Sequence, residues 1–356
     1  MDRLIEEAIC EAWLFDQWTY ENETAFKYEL FYRLGRKVYK NQCLGKKSDN
    51  ELTCHVHSEA KAQNQLKGNK ADIVICDPSE LDNFNYNVKH VLELKLKLSE
   101  SELKKEKNKI DIYSKEFKSY WIVGGLFIKN KIKNCNLQHK NALNLYIRTR
   151  ECKLNKLNSA IYEPIKLDQA YNIVTRCIKD VLNMYGAGKQ QFNSFFWCNY
   201  EDEISRGHSF PSEGDFNAQL YSKLRDELPT SIVIYSEYKV EERRIDLVIA
   251  DRNTKWAVPI EVKMNWEQFK RKYDGNHNIQ QSEASLIISR FKLIEKKFIK
   301  TKPILIVIQG EWRINNKNKT VGNDNKSYAV EELEKHKNYF SFFCYNETLD
   351  KVTYNW

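Results

Sequence analysis

Apolar positions along the first fifteen residues fall at Leu4, Ile5, Ile9 (or Ala8), Ala12 and Trp13, the spacing of one helix face. Phe26, Leu30 and Leu34 repeat that spacing and predict a second helix from Glu23 to Val38. The period then shortens. Residues 52 to 58, 71 to 77 and 88 to 98 read as strands, the charged stretch from Ser99 to Ser119 as a helix capped by Ser99 or Ser101, and Tyr120 to Ile128 as a buried strand. Leu167 to Tyr185 predicts a helix that Gly186-Ala-Gly188 ends. Beyond it the same order returns. A helix capped by Ser212 runs to about Leu228, strands follow at 232 to 238, 245 to 250 and 256 to 264, one or two helices fill 266 to 298, and Pro303 to Gln309 is a continuously apolar strand. Helix, three strands, helix, strand in each half predicts an α/β chain, each half a mixed β-sheet flanked by helices.

The halves also match residue by residue. Glu23-Thr-Ala-Phe26 through Leu30 to Leu34 aligns without gaps on Glu213-Gly-Asp-Phe216 through Leu220 to Leu224, at an offset of 190. The offset falls to 174 between Asp72 and Asp246 and to 168 between Glu93 and Glu261, so the length changes sit in loops. That pattern predicts a duplication: an N-terminal domain over 1–185, a linker over 186–200 and a C-terminal domain over 201–356. A length of 356 residues suits two domains with cores of their own.

Chemistry concentrates where the halves agree. Residues 70 to 95 place Asp72 at the start of one strand and Glu93-Leu-Lys95 on the next; residues 244 to 263 do the same with Asp246 and Glu261-Val-Lys263. Glu-x-Lys also occurs at Glu102, Glu116, Glu151, Glu237 and Glu295, without an acidic strand before it, so the context carries the signal. Residues two apart on a strand share a face, so each glutamate projects with its lysine. Two carboxylates and an ammonium then converge. Mg²⁺ accepts one or two protein carboxylates together with phosphate and water, and the carbonyl of Leu94 or Val262 is a further oxygen donor. Asp77 and Asp251 correspond as well and read as turn residues.

These motifs and their order resemble the PD-(D/E)XK nuclease superfamily, the restriction-endonuclease-like fold, in two tandem copies covering roughly 20 to 130 and 210 to 310. Ala71 and Ile245 stand where the family name has proline. The resemblance implies catalytic Asp72, Glu93, Lys95, Asp246, Glu261 and Lys263, with Mg²⁺ or Mn²⁺ held by Asp72 and Glu93 and by Asp246 and Glu261. It also implies supporting roles for Glu23 and Glu213 on the first helix of each half, and for Gln281 (or Gln280) after the second lysine strand; first-turn acids also suit a helix dipole. Glu29 is set aside because its counterpart is Gln219 and it points away from the apolar face.

Charge and cysteine content shape the partners. A formal charge of +8 favours a polyanion, and Lys104 and Lys105 after the first site, with Lys270, Arg271 and Lys272 on the helices after the second, are expected to contact phosphates. The expected partner is nucleic acid, DNA before RNA, in restriction or defence against foreign DNA. Nine cysteines without a CxxC pair predict reduced thiols in the cytoplasm, and Cys43 with Cys54-His55-Val-His57 lacks the two spaced ligand pairs of a zinc site. No basic leader opens the chain, and apolar runs such as Trp121 to Ile128 are too short to span a bilayer. The alternatives are one catalytic half with one recognition half, and a nucleic-acid-binding or protein-interaction module without turnover.

Overall fold

The computed structural model describes residues 1–14, 22–41, 56–60, 71–82, 85–95, 117–124, 143–147, 165–191, 197–198, 210–211, 213–251, 253–264, 266–269, 271–273, 279–308, 323–346 and 351–355, with single positions between 101 and 109. The helices are α1 (Asp2–Leu14), α2 (Glu23–Asn41), α3 (Leu167–Gln191), α4 (Glu213–Glu227), α5 (Glu283–Glu295) and α6 (Asn323–Glu334). The strands are β1 (Val56–Ala60), β2 (Ala71–Asp82), β3 (Asn85–Lys95), β4 (Ser119–Gly124), β5 (Leu143–Ile147), β6 (Trp197–Cys198), β7 (Phe210–Pro211), β8 (Val233–Val240), β9 (Arg243–Asp251), β10 (Trp256–Lys263), β11 (Arg271–Tyr273), β12 (Ile279–Ser282), β13 (Lys300–Thr301), β14 (Ile304–Ile308), β15 (Ser341–Asn346) and β16 (Lys351–Asn355). Contacts divide the chain into two units. One comprises 1–159, 191–201 and 208–218, and the other 160–190, 202–207 and 219–356.

The first unit holds a sheet in the order β1-β2-β3-β4-β5. Its first two pairings are antiparallel and its last two parallel. The second unit builds β8-β9-β10-β14-β15-β16, with β13 beside β10. Here again two antiparallel pairings precede two parallel ones, and β16 adds an antiparallel edge. Two mixed sheets with one connectivity thus follow one another in the chain. The middle strands β3 and β10 have partners on both sides, which explains their near-continuous apolar character: every residue of β10 but Lys263 is buried. The two tight connections of the second sheet place Glu241 and Lys255 in the left-handed region, each at φ 55°.

Helical periodicity converts into burial as expected. Ile5, Ala8, Ile9 and Ala12 on α1 are fully buried, as are Leu30 and Leu34 on α2 and Phe216, Leu220 and Leu224 on α4. In the second unit α5 sets Ala284, Ile287, Ile288, Phe291 and Ile294 against a core containing Ile245, Val248, Leu305, Val307 and Phe342. Ser282 caps α5 by accepting the Ser285 amide at 3.1 Å, which fixes where that helix begins.

Several sequence expectations are corrected. Gly186 and Gly188 do not end α3, which runs to Gln191. Two glycines at about 1 kcal/mol each do not outweigh a 25-residue helix whose stripe of Ala170, Val174, Cys177, Ile178, Val181 and Leu182 is fully buried. By its contacts that stripe belongs to the second unit, where Asp168 pairs with Lys302 at 2.8 Å and Asp180 with Lys223 at 3.1 Å. The helices expected over 266 to 298 reduce to a short 3-10 turn at Trp266–Phe269 and α5, with the β11–β12 hairpin between them. Ser119 opens β4 instead of closing a helix, and Asp77 lies inside β2, opposite Asn87, instead of ending it. Ser99, Ser212 and the expected strand ends at 52–55 and 125–128 lie outside the described residues.

Two measurements check this packing. Leu30→Ala and Leu220→Ala, at matched positions in the two units, are each expected to cost about 2–5 kcal/mol in denaturant unfolding. The second concerns His90 on β3, buried with its Nδ1 2.6 Å from Ser119 Oγ, which also accepts Trp121 Nε1–H at 2.9 Å. Burial pushes the imidazole down to about 4, while Asp2 pulls weakly the other way. The unfolded chain therefore binds the extra proton first as pH falls from about 6.5 towards 4, and stability is lost across that window. The loss approaches about 3 kcal/mol at most, and His90→Gln is expected to flatten the unfolding profile there.

Candidate active site

Strand register places the expected carboxylates directly across from one another. Ile73 pairs with Leu92, which sets Asp72 opposite Glu93, and Leu247 pairs with Ile260, which sets Asp246 opposite Glu261. Cross-strand neighbours on one face stand about 4.5–5.5 Å apart at Cβ, and like charges there repel. A backbone donor and a lysine offset the repulsion. Asp72 Oδ2 accepts the Leu94 amide at 2.8 Å, and Asp246 Oδ2 accepts the Val262 amide at 2.7 Å. The same bond thus recurs at the same place in each unit.

In the first unit Lys95 Nζ lies between the acids, 3.8 Å from Asp72 Oδ2 and 3.7 Å from Glu93 Oε2, and donates to the Leu94 carbonyl at 2.9 Å. Lys109, on the following helical segment, approaches Glu93 Oε2 to 3.5 Å. Glu93 is 3% exposed at its side chain while Lys95 is 20% exposed, so the cluster opens on the lysine side.

The second unit is tighter. Lys263 Nζ donates to Glu261 Oε1 at 2.7 Å and lies 3.7 Å from Glu283 Oε1 in the first turn of α5. Arg290, two turns along α5, forms a very short bond from Nη1 to Glu261 Oε1 and donates from Nη2 to Glu283 Oε1 at 2.5 Å. Burial opposes the charge on Arg290, but Glu261 and Glu283 more than restore it, so its pKa lies above the ordinary arginine value. Glu283 and Arg290 are site residues that the motif search missed. The signal was available: Ser101-Glu102 and Lys109 match Ser282-Glu283 and Arg290 at one offset of 181.

Other expected residues are less closely tied to the clusters. Glu23 and Glu213 occupy the first turns of α2 and α4, half-buried. Among the described residues no group of three or more His, Cys, Asp or Glu is arranged to hold a metal ion, so neither glutamate completes a three-carboxylate shell. Glu29, set aside as facing away from the apolar side, is fully buried and paired with Arg33 at 2.8 Å. Gln281 lies on β12, and Arg271 and Lys272 lie on β11 instead of a helix. Lys104 and Lys105 are helical and exposed, free to meet a polyanion. Lys270, Cys43, Cys54 and His55 lie outside the described residues; His57 is buried, 3.3 Å from Asp215 Oδ2 in the same unit. Asp251 accepts the amides of Asn253 and Thr254, the turn role expected of it.

As donors for Mg²⁺, Asp72, Glu93 and the Leu94 carbonyl are hard oxygens of the right kind and number, gathered around one ammonium. The second cluster fits less well, because Glu261 is already held by two cations. Compared with protein families, curated proteins and solved structures, the chain has no match.

The carboxylate–amide bond is testable by stability. Asp246→Ala strands the Val262 N–H and is expected to cost about 1–3 kcal/mol, and Asp246→Asn, which keeps an acceptor oxygen, clearly less. Equal losses in urea unfolding would assign the effect to charge instead of the hydrogen bond.

Proposed function

We propose that this chain is a Mg²⁺- or Mn²⁺-dependent nuclease that hydrolyses phosphodiester bonds, acting on DNA in preference to RNA. The carrying observation is the recurrence, in two sheets of one connectivity, of an aspartate bound to the amide between a glutamate and its lysine. Ordinary half-exposed strands have no reason to repeat a carboxylate pair that repels itself. The arrangement supports tandem restriction-endonuclease-like domains, each with one potential active site; a cytoplasmic role in restriction or anti-phage defence belongs to the proposal by resemblance alone. Among the described residues no helix is long and apolar enough to cross a membrane.

In the first site Asp72 and Glu93 would hold the metal, which would supply Lewis acidity to the scissile phosphate. Lys95 does the rest of the electrostatic work. Fixed by the Leu94 carbonyl, its ammonium orients the attacking water and stabilises the charge that develops on the phosphorane oxygens. Exposed Lys104 and Lys105 contact the polyanion's phosphates as it approaches.

The expected result is Mg²⁺-dependent cleavage of plasmid by the wild-type chain. Lys95→Ala is expected to lower the rate by about 10²–10³-fold while sparing metal binding. Absence of metal-dependent cleavage on single- and double-stranded DNA and on RNA would overturn the proposal. Salt-sensitive binding indifferent to metal and to both lysines would indicate the binding module instead.

A further inference from the structure

We propose that Arg290 closes the second carboxylate site to divalent metal, leaving the first as the site that cuts. The second clause rests on the nuclease reading; the first stands on the geometry of this cluster. Glu261 is 3% exposed at its side chain, Arg290 13% and Glu283 20%, so the network is largely withdrawn from water. One guanidinium donates to both glutamates, and Lys263 donates to the glutamate oxygen that Arg290 also holds. Such a cation fills the place a metal would take.

The two units differ in what a metal must displace. Guanidinium is planar, permanently charged and forked, so it satisfies two carboxylates at once. Its helix is held by the Ser282 cap and by the burial of Ile287, Phe291 and Ile294 around it, so α5 does not swing away cheaply. A divalent ion reaching Glu261 would compete with Arg290 and Lys263 for its carboxylate and stand beside both cations in a largely dry site. At Glu93 the lysines stand back, at 3.7 Å and 3.5 Å, on flexible stems that reorient easily. Lys109 and Arg290 stand at matched sequence positions, so the forked cation of the second half takes the place of a lysine in the first.

The test counts Mn²⁺ bound to the full chain by electron paramagnetic resonance, at fixed ionic strength. Wild type is expected to bind one ion, lost in Asp72→Asn and retained in Asp246→Asn. Arg290→Gln is expected to gain a second, about tenfold or more tighter than any residual wild-type binding there, and to lose it again with Asp246→Asn. Arg290→Lys restores a flexible ammonium and is expected to show a weaker gain; it decides the matter if the glutamine variant does not fold. Two comparable ions in wild type, one of them removed by Asp246→Asn, would overturn the closure, as would a folded Arg290→Gln or Arg290→Lys protein that gains nothing. An ion in Arg290→Gln but none in wild type upholds the closure and removes the metal from the proposed function.

Discussion

Two carboxylates facing each other across an antiparallel strand pair repel, and much of each site follows from containing that repulsion. Asp72 and Asp246 are held by an amide of the neighbouring strand; Glu93 and Glu261 are held by cations projecting from the same strand and the next helix. The sheet makes this possible, because the middle strand has one neighbour on each side. Burial of the glutamates raises the cost of leaving them uncompensated. A cluster of this kind is expensive to keep for structure alone, since apolar residues of similar size often fill such places at no loss.

The units solve the same electrostatic problem differently. The first uses lysines at a distance, and its exposure lies with Lys95 and Asp72, each 20% exposed at the side chain. The second uses a hydrogen-bonded lysine and a forked arginine that also holds Glu283 in the first turn of α5. Two sheets of one connectivity thus carry an open arrangement and a locked one. Lys104 and Lys105, on the helical segment beside the open arrangement, are exposed.

Much of this was legible in the chain, because the decisive signals were periodic or local. Phe26, Leu30 and Leu34 announced α2, and the repeated Asp, Glu and Lys positions announced the register that sets Asp72 opposite Glu93. What stayed hidden depended on tertiary packing. Gly186 and Gly188 read as a stop until the buried stripe of α3 is seen to outweigh them. Glu29 read as outward because one helical face was counted, whereas α2 is covered on more than one side. The β11–β12 hairpin has a charged, weakly alternating sequence that no period distinguishes from helix. Glu283 and Arg290 escaped because the motif ended at the lysine, although their spacing repeats in the first half.

The anchoring of each aspartate to a main-chain amide has an evolutionary side. A backbone donor is supplied by every residue type but proline, so the identity of the residue between glutamate and lysine is free to drift while the aspartate keeps its aim. Leucine occupies that position in one unit and valine in the other. The site's geometry therefore rests on the strand pairing instead of on side-chain partners, which lets the surroundings of the two aspartates differ while their aim stays the same.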